Sequence, residues 1–347
     1  MNSFERVYAC LQGKPVDRPP VFPQTGDHDG IIKGLTYDVM YHDLGQAVQA
    51  HLDALERYGY DFVTMQPEPS WPVAEACGAT VTYPPDKNPW ITEYVVASEE
   101  DLDKLSVPDF MANTTTRVII EGTGILAKRA TAPTVAFTTG PTTMALQLMP
   151  YVEVMKRIRK NPEFVHKLVS KTVDIIRAWA LLLKGAGATI LCICEHDVQM
   201  LSPRHFREFT VEYLPRILDI FDYNILHICG KVMPHLEYTA DDIVKKLRHL
   251  TVVNVSPEVD IAALQSLLKG RIGVAGNIDH IHVLPQQGPA EVKAAVRVAI
   301  EASGGDPRFM VAPGCEITAD TPPENVSAMV EATKEFATAR THRSSSV

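Results

Sequence analysis

The sequence has no apolar run approaching the ~20 residues that a membrane span requires. Its first twenty residues carry charges in the first turns and no apolar signal core, so a cytoplasmic protein is expected. An excess of basic charge is also missing. Lys and Arg number 33 against 42 Asp and Glu, for a net charge of -9. A nucleic-acid surface needs clustered Lys and Arg to neutralise phosphates, so that class is set aside. Neither an internal repeat nor a low-complexity linker interrupts the chain. What is present fits a soluble globular protein: 46% hydrophobic and 22% charged residues over 347 positions. That length would allow two domains, but α/β barrels often run past about 250 residues as one. We expect one domain over residues 1–340 and a disordered tail at 341–347, which is polar and patternless. The six cysteines could pair. In a long cytosolic chain, buried thiols or metal ligands fit better.

Eight short β-rich runs punctuate the chain: 18–22, 61–65, 134–138, 188–193, 224–228, 251–255, 271–275 and 308–312. Several are near-continuous apolar stretches, as strands buried on both faces should be. The first is the weakest, because Pro19 and Pro20 cannot donate ladder hydrogen bonds. Helical patterns lie between the runs. Asn161-Pro162 opens one as N-cap and first helical residue, and the glycines at 185 and 187 end it. Ser202-Pro203 and Thr321-Pro322 open others with the same chemistry. Strands alternating with helices predict a parallel sheet. Eight such units predict closure into a (β/α)8 TIM barrel, with a doubly wound open sheet as the rival. The stretch from Gln66 to Pro133 is too long for a simple connection between the second and third strands. An insertion is expected there, with a hairpin near Thr80–Tyr83 and Trp90–Val96.

In a parallel barrel the reactive groups sit where strands end and βα loops begin. Those positions hold Asp27, His28 and Asp29; Glu68; Glu195, His196 and Asp197; His227 and Cys229; Glu258; Asn277 and Asp279; and Cys315 with Glu316. His227 and Cys229 are two apart on a strand, so they share one face. Cys315 follows the eighth strand, and a barrel mouth draws such ends toward one centre. One imidazole and two thiolates suit Zn²⁺, and three protein ligands leave a fourth position open, as in catalytic zinc sites. Taken alone, His-x-Cys also fits an ordinary core histidine and thiol. Cys192 and Cys194 alternate within an apolar run and read as buried thiols; Cys10 and Cys77 read as helix-packing residues. Glu195 ends a buried strand, where a charge needs a partner or a task. It is a candidate metal ligand, base or substrate contact. His196 and Asp197 read as supporting loop groups. Glu68, Glu258 and Asn277 are candidate substrate-binding residues.

Further stretches accompany these residues: Val73–Ala79, Thr139-Gly-Pro141, Gly185–Thr189, Leu201–Phe206, Leu226-His-Ile-Cys-Gly230, Gly276–Asp279, and Gly314–Ile317 followed by Thr321–Asn325. In this order and spacing the chain resembles the uroporphyrinogen decarboxylase superfamily over nearly its whole length. The resemblance implies a (β/α)8 barrel. The decarboxylases of that superfamily carry an Arg-rich segment after the first strand to hold porphyrinogen carboxylates. Here Val21–Gly30 contains no arginine. The chain looks more like the corrinoid-dependent methyltransferase branch, such as the methylcobamide:coenzyme M enzymes. That branch's His-x-Cys and distant Cys fall on His227, Cys229 and Cys315. Glu195 falls where the superfamily often has an active-site acid.

The resemblance implies zinc-dependent methyl transfer between a corrinoid (methylcobalamin) on a partner protein and a small methyl acceptor or donor. A thiol at the open zinc position would be held as thiolate. In the reverse direction the metal would act as a Lewis acid on a methylated donor. Glu195 and His227 are the implied catalytic residues. No cobalamin-carrying segment is evident, so a separate corrinoid protein is expected. Two other readings stay open: a metal-free decarboxylase or lyase of the same fold, and a non-enzymatic partner of a corrinoid protein.

Overall fold

The computed structural model describes residues 1–65 and 70–344, with side chains described as far as Phe336. Its centre is a parallel sheet of seven strands, β1 (Val63–Thr64), β4 (Thr134–Thr139), β5 (Ile190–Glu195), β6 (Asn224–Ile228), β7 (Leu250–Val255), β8 (Gly273–Ile278) and β9 (Met310–Pro313), hydrogen-bonded in that order. An antiparallel pair, β2 (Thr80–Thr82) and β3 (Trp90–Glu93), lies apart between β1 and β4, where alternation predicted a hairpin. The helices Ser70–Ala76, Glu99–Lys104 and Thr114–Arg129 occupy the same interval.

The sheet curls on itself in the manner of a TIM barrel. The first predicted strand, at 18–22, is reduced to a single bridge between Val21 and Val311. Its two prolines explain this, since they offer no N–H to a ladder. The segment nevertheless bonds on both sides: Phe22 N–H donates to the Val311 carbonyl (2.9 Å) and Asp61 N–H to the Val21 carbonyl (3.1 Å).

Side-chain alternation divides the core into two layers. Leu191, Ile193, Leu226, Ile228, Val253 and Val255 face outward into the layer packed by helices. Cys192, Cys194, Ile225, Val252, Ala275, Met310 and Ala312 face the interior with Phe22, Phe62 and Phe137. The helix Ser3–Leu11 closes the lower end, sending Val7, Cys10 and Leu11 into that interior. The sequence writes the helix boundaries plainly. Asn161 accepts a hydrogen bond from Phe164 N–H (3.3 Å) to open the helix Pro162–Ala186, which stops at left-handed Gly187 (φ 118°). Ser202 caps only a short helix, Pro203–Phe206, which passes into a π turn. The last helix, Pro323–Ser344, continues into the stretch beyond 340 that showed no pattern in the sequence. Among the described residues no helix is long and apolar enough to cross a membrane.

Candidate metal centre and cleft

Strand register assembles the site. Cys194 is paired with His227, His227 with Asn254, and Asn254 with Ala275, so four neighbouring strands carry these residues at one level. The Cys229 N–H donates to the Glu195 carbonyl (3.3 Å), extending the β6 ladder by one step. Cys315 arrives two residues after β9. Gly314 makes that approach possible, because a Cβ there would lie 2.4 Å from Pro257 Cδ and 3.0 Å from Ser256 Cα.

The result is a knot of Lewis bases. His227 Nε2 lies 2.8 Å from Cys229 Sγ, and Cys229 Sγ lies 3.0 Å from Cys315 Sγ. His196 Nδ1 is 3.8 Å from Cys229 Sγ, and all four donor atoms fall within 4.8 Å of one another. His227 is oriented from behind. Its Nδ1 is 2.5 Å from Asn254 Oδ1, which also accepts from Gln24 Nε2 (2.9 Å), while Asn254 Nδ2 donates to the Ala275 carbonyl (3.1 Å). An amide oxygen can only accept, so Nδ1 carries the proton and Nε2 presents its lone pair to the sulfurs. Cys315 is held well below the ordinary thiol range, first by hydrogen bonding from Cys229 and then by His227 and His196, against the opposing effect of burial.

These residues fit a zinc ion. One imidazole and two thiols, one of them predisposed to ionise, are the ligand types zinc prefers. Around tetrahedral zinc, N–S and S–S separations are about 3.6–3.8 Å for the usual bond lengths. The 2.8 and 3.0 Å contacts would therefore open by about 0.8 Å.

The other sequence candidates fall in different places. Glu195 has the opposite parity from Cys194 and points outward. Its carboxylate accepts from Thr142 N–H (3.2 Å), Thr143 N–H (2.9 Å) and Thr143 Oγ1 (2.8 Å), at the start of the helix Pro141–Leu148. Burial pushes its pKa up to about 7, while Thr143 and Thr142 pull the other way. A Cβ on Gly140 would meet this carboxyl carbon at 2.1 Å. The structure thus brings Glu195 to a helix N-terminus, outside the donor group. His196, read from sequence as a loop group, joins that group instead. It has the same parity as Cys192 and Cys194, and that alternation is the signal that could have found it.

Asn277 turns its amide toward the loop after β7, donating to the Val259 carbonyl (2.7 Å). Glu258 stands exposed in that loop. Glu68 lies outside the described residues. His28 is buried against the Tyr58 hydroxyl (2.8 Å) and the Ala319 carbonyl (3.1 Å), and burial lowers its pKa. Asp29 pairs with buried His51 (2.8 Å). Cys10, Cys192 and Cys194 are buried free thiols; burial raises Cys194 well above the usual range.

A cleft of about 970 Å³ opens over the donors, with Cys194, His196, His227 and Cys315 on its floor. Its size suits a small molecule. Among the described residues its walls include Asp27, Asp86, Glu316 and Asp320 against one lysine, Lys87.

Residues 2–336 match the family described as uroporphyrinogen decarboxylase (URO-D). Among curated proteins, the chain is 26% identical to "Methylcobamide:CoM methyltransferase MtaA" of Methanosarcina barkeri, over 95% of this chain and 97% of that one. It is 24% identical to "Uroporphyrinogen decarboxylase" of Myxococcus xanthus, over 94% and 95%. A solved structure titled "methyltransferase from Methanosarcina mazei" superposes with a TM-score of 0.86 at 23% identity, covering 97% of this chain and 99% of the other. At that identity the superposition establishes the fold.

Proposed function

The chain belongs to the uroporphyrinogen decarboxylase family, and from that premise we propose that it is a zinc-dependent, corrinoid-dependent methyltransferase of the cytoplasm. It moves a methyl group between a cobalamin on a partner protein and a small thiol or other acceptor or donor. The observation that carries this reading is the convergence of His227, Cys229 and Cys315, two of which, His227 and Cys315, line the floor of the cleft. The reading treats residues 1–340 as one (β/α)8 barrel domain, supported by the hydrogen bonds of the 20–22 segment to both sheet edges.

His227, Cys229 and Cys315 would hold the metal. Bound there, zinc would supply stabilisation of a substrate thiolate, or Lewis acidity toward a methylated donor. The remaining work belongs to the chain. Asn254 and Gln24 fix the tautomer and ring plane of His227. Glu195 acts as a positioning residue, holding the end of β5 against Thr142 and Thr143. Asn277 holds the loop that carries Glu258, whose exposed side chain would be open to substrate or partner. The cleft gives a small molecule access to the donors and leaves its mouth for the corrinoid protein.

A metal-free decarboxylase is the alternative within the family. The four wall carboxylates disfavour it, since a ligand carrying many carboxylates would face like charge. Metal analysis should find about one zinc per chain, and Cys229→Ser and Cys315→Ser should lose both the metal and thiol-dependent demethylation of methylcobalamin, followed optically. A zinc-free wild type whose serine variants keep full activity would sink the proposal.

A further inference from the structure

We propose that His196 is a fourth ligand of the same metal, one that gives way when a substrate sulfur binds; this rests on the metal reading above. Three observations carry it. The first is distance. His196 Nδ1 lies 3.8 Å from Cys229 Sγ, close to the ~3.6 Å that separates N and S donors around tetrahedral zinc. Of the three contacts to Cys229, this one needs the least adjustment.

The second is the contrast between the two imidazoles. His227 is 1% exposed, and its far nitrogen is pinned to Asn254. His196 is half-buried and lines the cleft. Both rings line the cleft, but His227 is built to stay and His196 is the more exposed to the space a substrate would enter.

The third is how His196 is held. Its N–H donates to Thr143 Oγ1 (3.0 Å), which in turn donates to Glu195 Oε2 (2.8 Å). That clamp fixes the main chain beside the donors. Rotation about the side-chain torsions can therefore carry the ring on or off the metal without moving the strand end. A four-ligand His2Cys2 shell would otherwise be the closed, structural type of zinc site. Displacement of His196 reconciles that shell with a site that must admit substrate.

X-ray absorption at the zinc edge tests this with the whole protein, because outer-shell scattering counts imidazoles. Wild type should show two imidazoles and two sulfurs. Saturation with 2-mercaptoethanol alone should change this to one imidazole and three sulfurs. His196→Ala should keep its zinc, show one imidazole from the start, and take up the thiol at severalfold lower concentration. His196→Cys, which keeps four protein ligands, should show three sulfurs before any thiol is added. One imidazole in wild type, or equal thiol half-saturation in wild type and His196→Ala, overturns the inference and leaves the methyltransferase reading standing. Wild type without zinc overturns the reading itself.

Discussion

The two ends of the sheet each gather a polar cluster, and the clusters follow opposite rules. At the lower end Asp61 is fully buried, yet both of its oxygens are answered. Oδ1 accepts from Arg6 (2.8 Å) and Ser3 (3.0 Å), and Oδ2 accepts from Arg18 (2.7 Å) and the Val21 N–H (2.8 Å). Acceptors meet donors, and the cluster is complete. At the mouth, His227, Cys229, Cys315 and His196 point lone pairs at one another. Lewis bases packed this closely, partly shielded from water, share protons or a cation among them. The lower end is therefore a lock within the fold, and the mouth holds the donor set that the proposed zinc would fill.

The largest effect should come from breaking the lock. Asp61→Ala leaves Arg6 and Arg18, both mostly buried, without their shared carboxylate and leaves the Val21 N–H without an acceptor. Loss of about 3–5 kcal/mol in urea denaturation is expected. Arg6 keeps Asp17 (2.7 Å), which favours the lower part of that range. Zinc per folded chain should not change. Loss of metal with unchanged stability would show that the two ends are not separable in this way.

The sequence was legible where one residue's alternation decides the outcome. His227 and Cys229 share a face in any strand, and the apolar runs that became β4 to β9 are too continuous for surface strands. The proline-bearing first run was correctly the weakest. Legibility failed where the answer depends on which strand lies alongside. Nothing in the run 251–255 says that Asn254 sits beside His227, since register across two strands is a tertiary fact. Parity was available but stopped one residue short. Even numbers point inward at Cys192 and Cys194, so His196 turns toward the donors and Glu195 turns away from them. Glu195 ends a buried strand, and its carboxylate finds partners in the N–H groups of the next helix, which nothing in its own strand announces.

Asn254 tests the mouth without touching its donor atoms. In Asn254→Ala the His227 ring loses the acceptor that fixes its tautomer and plane. Groups that orient a metal-bound imidazole are worth about 10–100-fold in metal affinity. A loss of that size is expected in competition with a chromophoric chelator, with any change in unfolding free energy smaller than that of Asp61→Ala. An Asn254→Asp variant, which keeps an acceptor at the same position, should recover most of the affinity.

The smallest effect is expected at Glu258, and it sharpens the boundary of the mouth. Its side chain is exposed in the loop after β7, and the Asn277 amide fixes that loop through main-chain carbonyls, whatever residue 258 is. Glu258→Gln should therefore change stability by no more than about 0.5 kcal/mol. Zinc content should stay the same. If the carboxylate only guides a partner or substrate toward the cleft, KM should change no more than severalfold with kcat intact, and the change should fade as salt is raised. A fall in kcat that persists at high salt would instead place Glu258 among the groups that act during transfer, and would extend the working part of the mouth from the donor floor to the loop after β7.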